Sequence, residues 1–175
     1  KRMGRGYTRE EYLSLVHRLK RRIPELAITT DMIVGFPGES DADFEDTMDL
    51  VKQVGYEGMY SFKYSERPGT AALKLDGALP ESVRGARLRE LQRYHEGVLP
   101  GLLERYAGQT YEVLVEGASA RDAGEARGRI PQNHVVNFSL PVGVTPKALV
   151  GTMVSVEIVE VRTHTLYGRM CDLSK

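Results

Sequence analysis

Apolar positions follow helical spacing near the amino end, form short continuous runs further on, and alternate with polar residues after Gly108. Tyr12, Val16, Leu19 and Ile23 lie three or four residues apart, the stripe of an amphipathic helix. Thr8-Arg9-Glu10-Glu11 supplies a capping box at its start, and Pro24 stops it. Leu26 to Val34 is nearly apolar and rich in β-formers, which predicts a strand covered on both faces of a parallel sheet. Ser40-Asp41-Ala42-Asp43 caps a second helix with Phe44, Thr47, Met48, Val51 and Val54 on one face. "MYSFKYS", Met59 to Ser65, reads as the next strand, completing a βαβ unit with a right-handed crossover.

Pro80 opens a long helix carrying Val83, Leu88, Leu91, Tyr94, Val98, Leu102 and Leu103. Gly97, Pro100 and Gly101 are expected to bend or break it, because proline removes a backbone donor and crowds the preceding turn. The runs "TYEVLVEG", "GRIPQNHVVNF" and "GTMVSVEIVEVRTHTLYGRM" then predict a small antiparallel barrel or sandwich of about five strands. A domain boundary is expected between Tyr106 and Thr110, giving domains 1–107 and 108–175.

Charge adds little at the level of the whole chain. Its 24 basic residues balance 24 acidic ones, so local patches must carry any attraction to nucleic acid. The single cysteine, Cys171, excludes an internal disulfide framework and any site built from several thiolates. No run approaches the roughly 20 apolar residues that span a bilayer, and the amino end has no apolar leader, so a cytoplasmic protein without a membrane partner is expected. "KRMGRGYTREEY" enters a helix almost at once, as the middle of something longer would.

The carboxyl ends of strands in α/β sheets are where ligands dock. Gly35-Phe36-Pro37-Gly38-Glu39 and Ser65-Glu66-Arg67-Pro68-Gly69-Thr70 are both such ends, and side by side they make one site. The glycine-proline turn serves either as a plain strand-to-helix connection or as a loop whose backbone approaches a ligand. Asp31 interrupts an apolar strand, either as a carboxylate capping neighbouring amides or as one holding the hydroxyls of a nucleoside. His17, His95, His134 and His164 show no metal-ligand spacing and are expected at core or surface positions. The β-rich tail interleaves Arg127, Arg129, Asn133, His134, Arg162, His164 and Arg169 with Phe138 and Tyr167. That pattern suits either a solvated strand face or an RNA-binding one, where cations meet phosphates and rings stack on bases.

In chain order, "KRMGRGYTREEY", "TTDMIVGFPGESDADFEDT", "SFKYSERPGTAA", "YEVLVEGASARDAGEARGR", "NHVVNF" and "HTLYGR" together resemble the carboxyl half of radical S-adenosylmethionine methylthiotransferases. Within that family the strings "FKYSERPGT" and "VVNF" are most similar to the MiaB type, which adds a methylthio group to N6-isopentenyladenosine beside the tRNA anticodon. The resemblance implies the end of a radical-SAM partial barrel, with its fifth and sixth strands, followed by a TRAM domain of OB-like fold that binds RNA. It also implies S-adenosylmethionine near Asp31, Gly35, Phe36 and Pro37, with Arg5 or Arg9 reaching the methionine carboxylate and Pro68 and Gly69 bordering the cofactor. Gly35 would let the adenine lie close.

The family's two [4Fe-4S] clusters need six cysteines, and this chain offers none that match, so it is expected to be an inactive fragment lacking its amino-terminal portion. The expected RNA partner is the tRNA anticodon stem-loop. Two further readings stay open: a cluster-free RNA-binding adaptor, and part of a sister enzyme acting on a ribosomal protein or threonylcarbamoyl-adenosine.

Overall fold

The computed structural model describes residues 2–171. The chain divides into two compact units, one ending at Gly97 and the other beginning at Val98.

In the first unit, helix α1 (Arg9–Arg22) starts at the expected capping box: Thr8 accepts from the Glu11 amide, and the Glu11 side chain accepts from the Thr8 amide at 2.7 Å. Strand β1 (Thr29–Val34), helix α2 (Asp41–Val54) and strand β2 (Gly58–Lys63) complete the parallel βαβ unit, with Thr29 opposite Gly58 and Val34 opposite Lys63. Ser40 and Asp43 repeat the reciprocal cap on α2, and Gly55 ends that helix in the left-handed conformation. Val16, Val34, Phe44, Met48, Val51, Val54, Tyr56 and Leu91 form the core.

The strand expected to be covered on both faces is covered on one. Ile28, Met32 and Met59 pack against the core, whereas Asp31, Ile33, Tyr60 and Phe62 point to the opposite, open side. Tyr60 and Phe62 are 72% and 53% exposed, a large apolar commitment to water. Among the described residues the sheet has two strands, with helices on one face only, and side chains of alternating parity cannot both be buried by a single layer.

Helix α3 (Glu81–Leu103) crosses from one unit to the other. It runs through Gly97, Pro100 and Gly101 without the break that is one of the two outcomes expected there. Pro100 sits in the last turn, where the one helical bond it removes would have ended on exposed Glu96. Leu99 and Leu103 from this end, with Tyr106 of the following 3-10 turn, are buried in the second unit's core.

That core fills a closed barrel of β3 (Thr110–Ala118), β4 (Ala126–Arg129), β5 (Val135–Ser139), β6 (Met153–Val161) and β7 (Leu166–Met170), ordered β3-β4-β5-β7-β6. A short helix α4 (Pro146–Leu149) joins β5 to β6. Val113, Val115, Val136, Phe138, Val156, Ile158 and Leu166 alternate inward, each worth roughly 1.5–3 kcal/mol of burial. The barrel is not wholly antiparallel, because β5 and β7 run parallel. The reason is topological: a closed ring with an odd number of strands cannot alternate direction at every neighbour. At Gly128 a side chain would sit 2.3 Å from the Leu114 carbonyl oxygen, so close packing of β4 on β3 demands glycine there.

Candidate functional site

In the first unit, a groove of about 1280 Å³ opens along the strand ends. Asp31, Phe36, Pro37, Arg5 and Arg9 line it, together with Arg67 and Thr70 of the second loop. The two loops meet as the sequence suggested: the Phe36 and Tyr64 rings pack edge to face at 5.3 Å, and the Tyr64 amide donates to the Val34 carbonyl at 2.8 Å. Pro68 and Gly69 are exposed at the tip of a turn closed by the Thr70 hydroxyl on the Arg67 carbonyl, and they do not line the groove.

Asp31 is exposed on the helix-free face, opposite Tyr60, and its carboxylate has no hydrogen-bond or ion partner among the described residues. The amide-capping reading of Asp31 is therefore not the one this fold adopts. Arg5 is likewise exposed and without an ion partner among the described residues, while Arg9 pairs with Asp49. Of the two arginines, Arg5 has its whole guanidinium to offer an anion, and Arg9 what its Nη2 bond to Asp49 leaves, including Nε. On the groove's own wall, Tyr12 and Tyr56 share a hydroxyl hydrogen bond of 2.8 Å, and Tyr7 stacks on Tyr12. Burial, then the bond to Tyr12, pushes the Tyr56 phenol well above its ordinary value, so it stays a protonated donor.

The glycine-proline turn is held from a distance in sequence. The Glu39 carboxylate accepts from the Gly35 amide at 2.9 Å and from Arg87 Nη1 at 2.8 Å, and Arg87 Nη2 reaches Asp41 at 2.6 Å. Arg87 and Glu39 are 7% and 10% exposed at their side chains, so this is a buried charge pair with its lone pairs occupied. Gly35 has φ +73°, and a Cβ there would lie 2.5 Å from Arg84 Cγ. The packing that requires a glycine comes from Arg84 of α3. Sequence reading missed Arg84 and Arg87, whose positions in an amphipathic helix carry no local signal of a loop 48 residues away.

In the second unit, the outward face of β4, β5 and β7 brings together a row: Arg127 lies opposite Asn137, and Asn137 opposite Tyr167. Asn137 was not among the residues singled out from sequence. Arg162 Cζ stands 4.0 Å from the Tyr167 ring centroid. Arg169, two residues along β7 from Tyr167, pairs with Glu157 at 2.8 Å. Arg129 and Arg127 reach the Glu116 carboxylate at 2.8 and 3.7 Å, and Arg162 reaches Glu160 at 3.1 Å.

Each of these four arginines is thus partnered by a glutamate, which the count of basic residues alone could not reveal. Asn133, at φ +68°, closes the turn after Ile130 and accepts from Arg129 through its carbonyl and its amide oxygen. His134 packs edge-on against buried Tyr106 at 5.0 Å, a packing role, and His164 is exposed in the turn between β6 and β7.

Among the described residues no group of histidine, cysteine and carboxylate side chains is arranged to hold a metal ion. No helix among them is long and apolar enough to cross a membrane.

Residues 1–51 match the radical SAM superfamily and residues 104–171 the TRAM domain. Similar proteins include tRNA-2-methylthio-N(6)-dimethylallyladenosine synthases from Ralstonia nicotianae (45% identical), Alkaliphilus oremlandii (43%) and Geobacillus thermodenitrificans (42%). The alignments cover 95%, 97% and 98% of this chain but only 37%, 35% and 32% of those relatives. A parallel βαβ unit with its strand-end loops, followed by a five-stranded barrel, is the order those matches carry, a radical SAM segment and then a TRAM domain, and the chain is similar over nearly its whole length to about a third of each of these synthases.

Proposed function

We propose that this chain forms the S-adenosylmethionine-lining wall and the RNA grip of a tRNA methylthiotransferase that converts N6-isopentenyladenosine beside the anticodon to its 2-methylthio derivative. The observation carrying this reading is the strand-end groove in which an unpartnered carboxylate, Asp31, and an unpartnered guanidinium, Arg5, face the same space among the described residues. That pair fits a nucleoside bearing an amino-acid tail: the carboxylate accepts from ribose hydroxyls and the guanidinium pairs with the tail's carboxylate. Phe36 and Pro37 supply the apolar wall, and the buried Arg87–Glu39 pair keeps the loop from moving as the ligand enters. S-adenosylmethionine would supply the methyl group and the radical chemistry of the family.

The clusters do not fit this chain. Iron-sulfur ligation needs several thiolates, and Cys171 stands alone, so every cluster ligand must come from elsewhere. The isolated 175-residue chain is accordingly inactive in this reading. The barrel takes the anticodon stem-loop on its β4-β5-β7 face.

The test is a chimera joining this chain to the amino-terminal portion of the Ralstonia nicotianae relative at the aligned position, expressed in a host lacking its own enzyme. Mass spectrometry of digested tRNA should then find the 2-methylthio nucleoside. A folded, cluster-loaded chimera that leaves N6-isopentenyladenosine unmodified would refute the assignment.

A further inference from the structure

The barrel's arginines are not equivalent. Arg127, Arg129 and Arg169 spread over the strand face with their glutamates, as charges that a phosphate could compete for. Arg162 is held flat. Its guanidinium lies on the Tyr167 ring, and Glu160 accepts from both Nε and Nη2, at 3.2 and 3.1 Å. The ring is fixed in turn, because the Tyr167 hydroxyl donates to Glu125 at 2.6 Å. Lysine could not replace this arrangement, since only a planar guanidinium stacks on one face and forks to a carboxylate with one edge.

With that edge and one face occupied, the Arg162 side chain is still 30% exposed. Its charge is already answered by Glu160, which weakens its call on a phosphate. A fixed plane is what an unpaired base stacks on, and RNA-binding proteins use guanidinium planes for this as well as aromatic rings. On the neighbouring strand, about 4.8 Å across from Tyr167, whose ring carries the guanidinium, stands Asn137. Its outward side-chain amide has no partner among the described residues and carries both donors and an acceptor.

We propose that Arg162 and Asn137 form a base-binding step on the barrel: an unpaired RNA base stacks on the free face of the Arg162 guanidinium, and the Asn137 amide bonds its edge. This rests on reading the barrel as the RNA grip, and it adds that the grip selects a looped strand over a duplex. Glu160, Tyr167 and Glu125 are positioning residues that keep the plane in place.

The experiment is fluorescence-anisotropy binding of the whole 175-residue chain across a salt series to three labelled RNAs. These are a stem-loop, the same stem closed into a blunt duplex, and the stem-loop with abasic loop positions. The unsubstituted chain should prefer the intact stem-loop to both others. Arg162→Lys should lose about tenfold on the intact stem-loop and nothing on the duplex, with the salt slope unchanged because the charge remains. Asn137→Ala should make a smaller loss that depends on which base occupies the loop. Tyr167→Phe, which keeps the ring but loses its bond to Glu125, should reduce the loop preference less than Arg162→Lys does.

Equal binding of Arg162→Lys and the unsubstituted chain would overturn the proposal, as would a loss shared equally by stem-loop and duplex. Failure of the unsubstituted chain to bind any of the three RNAs would overturn the RNA-grip reading itself.

Discussion

Replacing Gly35 with alanine tests whether that glycine is required by the protein's own packing. At φ +73° an alanine pays the left-handed penalty, about 1 kcal/mol. Its Cβ would also lie 2.5, 3.0 and 3.1 Å from Arg84 Cγ, Cβ and Cδ. Carbon atoms rest at about 3.5–4.0 Å, so the Arg84 stem must move by about 1 Å. These atoms are the root of the side chain, not its mobile end, and overpacking of this kind adds about 2 kcal/mol. Gly35→Ala should therefore destabilise the first unit by about 3 kcal/mol.

Arg84→Ala alone should cost about 1 kcal/mol, from its 2.7 Å bond to the Tyr64 carbonyl and its exposed pair with Glu81. In the double variant the contacts to Cγ and Cδ are gone and the one to Cβ at 3.0 Å remains, so the total should be roughly 2–3 kcal/mol, below the additive sum and no worse than Gly35→Ala by itself. Native-state hydrogen exchange at amides from Ile28 to Val54 reads this directly, with the barrel amides as an internal control. A double variant about 4 kcal/mol below the unsubstituted chain, the additive result, would refute the assignment of Gly35 to Arg84.

Asp31→Asn in the chimeric enzyme should weaken S-adenosylmethionine binding about tenfold by calorimetry without changing the melting temperature, since the exposed carboxylate has no partner to lose among the described residues. A fall in melting temperature with unchanged affinity would assign Asp31 a structural role. Ser40→Ala should cost about 1 kcal/mol by removing the cap of α2, measured by urea unfolding. The Ser40 side chain and amide hold the Asp43 carboxyl below its usual value, so Asp43 contributes stability above the unfolded carboxylate pKa. That contribution is lost as pH falls through the lower folded value; an Asp43→Asn deficit that stayed constant through acid titration would contradict this. Glu116→Gln frees Arg127 and Arg129 and should raise RNA affinity about threefold at low salt, with the gain vanishing at high salt. An equal gain at all salt concentrations would mean that Glu116 acts through packing.

The elements legible from sequence are those whose causes are local. Both capping boxes join residues three apart, at Thr8 with Glu11 and at Ser40 with Asp43, and both formed. Alternation from Thr110 onward marks which side of each strand faces the barrel interior, because a strand's side-chain period is two wherever it sits. The same local code placed the two strand-end loops beside one another. It misjudged Leu26 to Val34, since an apolar strand looks the same whether its second face is covered or open. It also expected a bend or a break at Gly97, Pro100 and Gly101, and the helix does not break there, because position within the helix mattered more than residue type.

What tertiary structure decided lies in pairs far apart in the chain. The carboxylate that orders the glycine-proline turn is neutralised by Arg87, 48 residues away, and the space above Gly35 is taken by Arg84 of the same helix. The sequence does not show which carboxylates meet the arginines of the β-rich tail: Arg127 and Arg129 take Glu116 and Arg169 takes Glu157, each brought over by an adjacent strand, whereas Arg162 takes Glu160 two residues before it. Asn137 becomes interesting only once β5 lies beside β7. Capping and alternation are set by neighbours along the backbone, whereas burial of a charge, crowding of a glycine and stacking on a ring depend on distances that exist only after the chain has folded.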